Sequence, residues 1–133
     1  MISITNWNCF AYFLDEIKDF VKSKLNPVKH YENIIRIKVS KDFSPFPDGA
    51  YYSSFCGENF RKNHLFQPLS QGCKVIVDLD GTNGYDSPWL KEAFGGLVVS
   101  GFDKEYLSKM LTIVSKNDSS LETECWQYIF NAV

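Results

Sequence analysis

The stretch Lys74–Leu97, KVIVDLDGTNGYDSPWLKEAFGGL, decides how the chain is read. Val75, Ile76 and Val77, with Leu79 after Asp78, make a short apolar, β-branched run. Such a run marks a strand buried on both faces, as in a parallel sheet. Asp78 and Asp80 stand at its carboxyl end. Gly81, Asn83 and Gly84 then mark a tight connection, because these residue types reach turn conformations that others avoid. Ser87-Pro88 opens a helix, with Ser87 as the expected N-cap and Pro88 at the first helical position, where a missing N–H goes unnoticed. Trp89, Leu90, Ala93, Phe94 and Leu97 recur on one face, so this helix packs back onto the strand. Trp89 has two readings: a core residue if that face is as drawn, a binding anchor if it is not. Function in open α/β sheets gathers at such a strand-to-helix crossing.

Upstream, residues 1–33 read as an appended helix: Phe10, Phe13, Leu14, Ile17, Phe20 and Val21 recur at helical spacing until Asn26-Pro27 stops the pattern. The stripe is either packed on the domain or a dimer or partner-docking element. Residues 34–133 form the domain proper. Ile34–Val39 alternates apolar and basic residues, the pattern of a half-exposed strand. Residues 41–49, with Pro45, Pro47 and Gly49, are a loop, and 50–54 forms a second strand with Tyr51 and Tyr52 on opposite faces. Gly57–Leu69 is a helix through Phe60, His64, Leu65 and Leu69, bent or ended near Pro68.

Downstream, Gly95-Gly96 end the central helix or let two backbones approach closely. Asp103 caps a short helix, Thr112–Ser115 is a brief strand, and Ser119 with Glu122 forms a capping box for a terminal helix whose inward residues include Leu121, Cys125, Tyr128 and Ile129. The sum is a small α/β domain, with about four strands in a mixed sheet and helices packed on it.

The 133 residues suit one domain with a real core. A net charge of −2 with scattered lysines leaves no electrostatic footprint for nucleic acid. No apolar run reaches the length of a membrane span and no basic-then-apolar leader opens the chain, which places it in the cytoplasm. Cys9, Cys56, Cys73 and Cys125 form no C-x-x-C pair, and only His30 and His64 could join them, so buried free thiols are expected and no metal site. Cys56 and His64 offer a thiol–imidazole pair on paper, without a third group to orient it. No cofactor is expected.

VIVDLDGT resembles the first motif of haloacid-dehalogenase-type phosphatases, an apolar strand ending in D-x-D-G-T. That resemblance implies Asp78 as nucleophile and Asp80 as general acid and base in a Mg²⁺-dependent reaction. The cationic and second acidic motifs of such enzymes have no counterpart on later strands here. Asp78 and Asp80 otherwise bond loop N–H groups, as acids in turns do.

A second resemblance covers the chain from Ile34 onward. KDFSPFPDG (41–49), CGENFR (56–61), LFQPL (65–69), VIVDLDGTNGYDSPWLKEAFGGLV (75–98) and LTIVS (111–115) resemble, in order, the landmarks of a bacterial STAS-like family of unknown function. Gly49-Ala50 stands where that family carries a glycine–arginine pair. The family is in turn similar to STAS domains that antagonise anti-sigma factors, whose D-S pair Asp86-Ser87 matches, although Pro88-Trp89 replaces the small residues that follow. The resemblance implies a non-enzymatic protein-interaction module with Ser87 as phosphoacceptor and Tyr85, Asp86, Ser87 and Trp89 at the partner-binding face. The implied partner is a histidine-kinase-type ATPase acting as a serine kinase or anti-sigma factor. A constitutive scaffold or homodimerisation subunit is the other non-enzymatic reading, with Ser87 then only a helix cap.

Overall fold

A computed structural model of the chain describes residues 33–50 and 53–133. The helix expected within 1–33, with Cys9 and His30, and the Tyr51-Tyr52 pair of the expected second strand lie outside the described residues. The flanks of that pair, Ala50 and Ser53-Ser54, are irregular loop and turn. Three strands are described, β1 (Ile34–Lys38), β2 (Lys74–Asp78) and β3 (Leu111–Val114). They run in the order β1-β2-β3 and are all parallel, so the expected mixed sheet of about four strands is, among the described residues, a parallel sheet of three. Each neighbouring pair is joined by a helical crossover, as parallel pairing requires.

The first crossover carries α1, a continuous helix made of Gly57–Phe60, a wide π-turn Arg61–Leu65, and Phe66–Ser70. The π-turn precedes Pro68, whose ring would otherwise meet the His64 carbonyl one turn back. The second carries α2, again with a central π-turn (Ser87–Leu90, Lys91–Gly95, Gly96–Val99), and the short α3 (Lys104–Met110). Asp103 caps α3 as expected, its carboxylate accepting from Tyr106 N. The last helix, α4 (Ser120–Asn131), lies chiefly along α2.

Strand register explains the core. Ile37 aligns with Val77 and Ile113, and Val75 with Leu111, on one face, and all five are buried. The opposite face carries Arg36, Ile76 and Thr112, none of them buried. The expected burial of β2 on both faces is therefore corrected. Side chains alternate across a strand, and the described helices cover only one side. The inward face of α2 is as its spacing predicts, with Trp89, Leu90, Ala93, Phe94 and Leu97 all buried. Phe60, Leu65 and Leu69 of α1 and Cys125 and Ile129 of α4 complete the cluster.

Gly95-Gly96 do not end α2, which runs on to Val99. They are close-approach residues: a methyl at Gly95 would come within 3.2 Å of the Tyr128 carbonyl oxygen, so Gly95 lets α4 settle on α2, while Gly96 makes room for Arg61 of α1. The capping box is also corrected. Ser119 makes no side-chain cap, Asp118 accepts from Ser120 N at 3.1 Å, and Glu122 reaches back to Ser115 N at 2.7 Å. Among the described residues no helix is long and apolar enough to cross a membrane.

Candidate functional site

The carboxyl ends of β2 and β3 open onto two acid-bearing corners. At the first, Asp78 Oδ1 accepts from Asp80 N at 2.9 Å, and Oδ2 lies 3.3 Å from Lys38 Nζ of β1. Asp80 points the other way. Its two oxygens accept from Lys116 N (2.9 Å) and Asn117 N (3.1 Å), tying the β2 turn to the loop that follows β3. Those N–H groups, Asn117 first, together with nearby lysine charge, hold the Asp80 carboxyl below its ordinary range. The two aspartates thus act in different directions, each fastening backbone. A cavity of about 210 Å³ lies beside them, lined by Thr82, Asn83, Tyr85 and the buried Ser115 among others.

The second corner is the start of α2. The N-cap is Asp86, whose Oδ1 accepts from Trp89 N at 3.0 Å, so Ser87 moves from the expected cap to the first helical residue, with Pro88 after it. The proline loop closes on this cap: a methyl at Gly49 would collide with the Asp86 carboxylate. Ser87 is then free of capping and exposed. Its Oγ lies 3.4 Å from Glu124 Oε2 of α4, which also accepts from Tyr128 OH at 2.7 Å. Asp86, Ser87, Glu124 and Tyr128 therefore meet where α2 crosses α4.

The other expected site residues divide. Trp89 is wholly buried, its indole Nε1 donating to the Phe55 carbonyl at 2.8 Å, so it is a core residue and not a surface anchor. Its ring has Phe60 and Tyr85 as close neighbours, at 5.1 and 5.0 Å between centroids. Tyr85 is half-buried and donates to the Leu79 carbonyl at 2.8 Å; burial pushes its phenol well above the ordinary value. It braces the loop between the two corners. Cys56, Cys73 and Cys125 are buried free thiols, and burial, with Glu124 and Glu122 adding to it, pushes Cys125 up to about 12. The His64 ring stacks on Phe60 and meets Phe43 edge-on, and burial lowers its pKa against a weaker opposing pull from Asp42. Among the described residues, no three His, Cys, Asp or Glu side chains gather as a metal site would need.

Sequence reasoning missed Glu124 and placed Tyr128 simply inward. The available signal was their i, i+4 spacing, which puts a carboxylate and a phenol on one helical face.

A small parallel α/β sheet with crossover helices on one side, and a D-S pair opening the helix after its central strand, defines the class. Residues 56–121 match the sequence model of the STAS-like domain of unknown function (DUF4325), and that part of the chain is such a domain. The match includes the whole of α2 with Ser87, and stops short of Glu124 and Tyr128. No curated protein and no solved structure matches the chain.

Proposed function

We propose that this chain is a non-enzymatic protein-interaction module of the bacterial cytoplasm, switched by phosphorylation of Ser87. The observation that carries the reading is the exposed Ser87 hydroxyl on the first turn of α2, set against Glu124 and beside Asp86. A phosphate there brings roughly −2 of charge at neutral pH. The N-terminus of α2 favours that charge, but its capping position is already held by Asp86. Glu124, now an acceptor for Ser87, would become a like-charged neighbour. Phosphorylation thus adds to the carboxylates of Asp86 and Glu124 already at this corner of α2 and α4 and makes it a concentrated acidic patch, while the buried Trp89 side of the helix stays as it is. A partner docked on the unmodified corner would be repelled, and an acidic partner most of all.

By analogy with the anti-sigma-factor antagonists that STAS-like domains resemble, the partner is a histidine-kinase-type ATPase acting as serine kinase or anti-sigma factor. The test is affinity capture from the native cells with wild type, Ser87→Ala and Ser87→Asp, with mass spectrometry of the captured proteins and of the Ser87 peptide. Expected are an ATPase recovered with wild type and Ser87→Ala, lost with Ser87→Asp, and a phosphate on Ser87 in the wild type. Equal recovery by all three variants, with Ser87 unmodified across growth conditions, would overturn the switch and leave a constitutive scaffold.

A further inference from the structure

Arg61 opens the π-turn of α1 and is buried, with 11% of its side chain accessible. A guanidinium so placed is costly unless its donors are used. Its Nη1 donates to the Glu92 carbonyl and lies 3.4 Å from Glu92 Oε1. Nε and Nη2 have no partner among the described residues. Neither is sealed away, since among the described residues Ser115 Oγ is the buried side-chain polar atom that lacks a partner. These two nitrogens form the side-on edge of the guanidinium, the edge that matches a carboxylate with two parallel hydrogen bonds.

Arg61 lines a half-open cavity of about 420 Å³ between α2 and the end of α4, with Gly96, Val99, Tyr128 and Ala132 among its walls. That volume falls in the range of small-molecule sites. Gly96 makes room for the guanidinium, because a methyl there would collide with it. The walls are mostly apolar; their charged side chains are Arg61 and Lys91 against Glu92, and Val133, the last residue of the sequence, lines them as well. A dianionic phosphate calls for more positive charge than that, whereas one carboxylate on an apolar body uses both the charge and the walls.

We infer that this cavity binds a small amphipathic carboxylate, its head on the Nε/Nη2 edge of Arg61 and its body along Val99, Tyr128 and Ala132. The inference is independent of the role given to Ser87. The test is a titration of the full chain with octanoate, followed by amide and Arg side-chain NMR, with octan-1-ol, octylamine and inorganic phosphate as controls. Saturable shifts are expected at Gly95, Gly96, Val99 and the Arg61 Nε–H, with octan-1-ol weaker by at least about tenfold and no saturation by octylamine or phosphate. Val99 is exposed, so Val99→Trp fills the cavity from its rim without disturbing the core, and it should weaken octanoate by about tenfold or more. Absence of saturation at millimolar octanoate, equal affinity for octan-1-ol or phosphate, or an unaffected Val99→Trp would each overturn the site. Arg61→Lys keeps the charge and loses the fork; octanoate affinity unchanged in a folded Arg61→Lys would overturn the bidentate contact.

Discussion

Two corners of one loop carry acids, and they use them differently. At the end of β2, Asp78 and Asp80 bind the loops together: one fastens its own turn and Lys38, the other bridges to Lys116 and Asn117 beyond β3. At the start of α2, Asp86 takes the capping role, and so releases Ser87 to the surface against Glu124. A D-x-D pair and a D-S pair look equally functional as strings. The difference is where their hydrogen bonds go: Asp80 accepts two backbone N–H groups from beyond β3, whereas the Ser87 hydroxyl is displaced from its cap and exposed.

The largest effect expected of a single change here is on the buried side of the second corner. Trp89→Ala should cost about 3–5 kcal/mol in chemical denaturation, from lost packing and an orphaned Phe55 carbonyl. A loss near zero would return Trp89 to the surface and erase the contrast between the two faces of α2. Next comes Asp80. Its folded pKa lies below the ordinary aspartate value of 3.8, so its stabilisation is present above that value and is lost as pH falls through the lower folded one. Thermal melts across that acid range should show a steep fall for the wild type and a flatter curve for Asp80→Asn. Parallel curves would show that the bridge to Lys116 and Asn117 does not tie the loops together.

Asp86→Ala should cost about 1 kcal/mol, the usual worth of an N-cap, and Asp86→Asn much less, because asparagine caps nearly as well. Equal losses would assign the effect to charge and not to capping. Smallest of all, Ser87→Ala should stay within about 0.5 kcal/mol of wild type, as an exposed residue without a capping role does. A loss above about 1 kcal/mol would make Ser87 a structural residue like Asp80 and remove the difference between the corners.

Much of the fold was legible because its signals are local. The inward stripe of α2, the cap at Asp103 and the strands around Ile37, Val75 and Ile113 follow from periodicity and capping chemistry over a few residues. The errors came where neighbours compete. Asp86 and Ser87 are both good caps, and only the closing of the Gly49 loop and the α2 geometry select between them. Ser119 lost its capping box because Glu122 found Ser115 N instead. The apolar run of β2 reads as buried on both faces, yet Ile76 sits on the side that the described helices leave uncovered.

By itself, then, the sequence determined the α/β class, the β2–α2 unit and which face of α2 turns inward, since hydrophobic spacing and turn residues act within one element. Only the tertiary structure decided that Asp80 reaches Lys116 and Asn117, that Glu124 and Tyr128 stand over Ser87, and that Arg61 lines the cavity beside Gly96. These partners are tens of residues apart in the chain. Their meeting depends on the register of the parallel strands and on Gly95 and Gly96, which let α4 and Arg61 approach α2 closely, neither of which short-range propensity encodes.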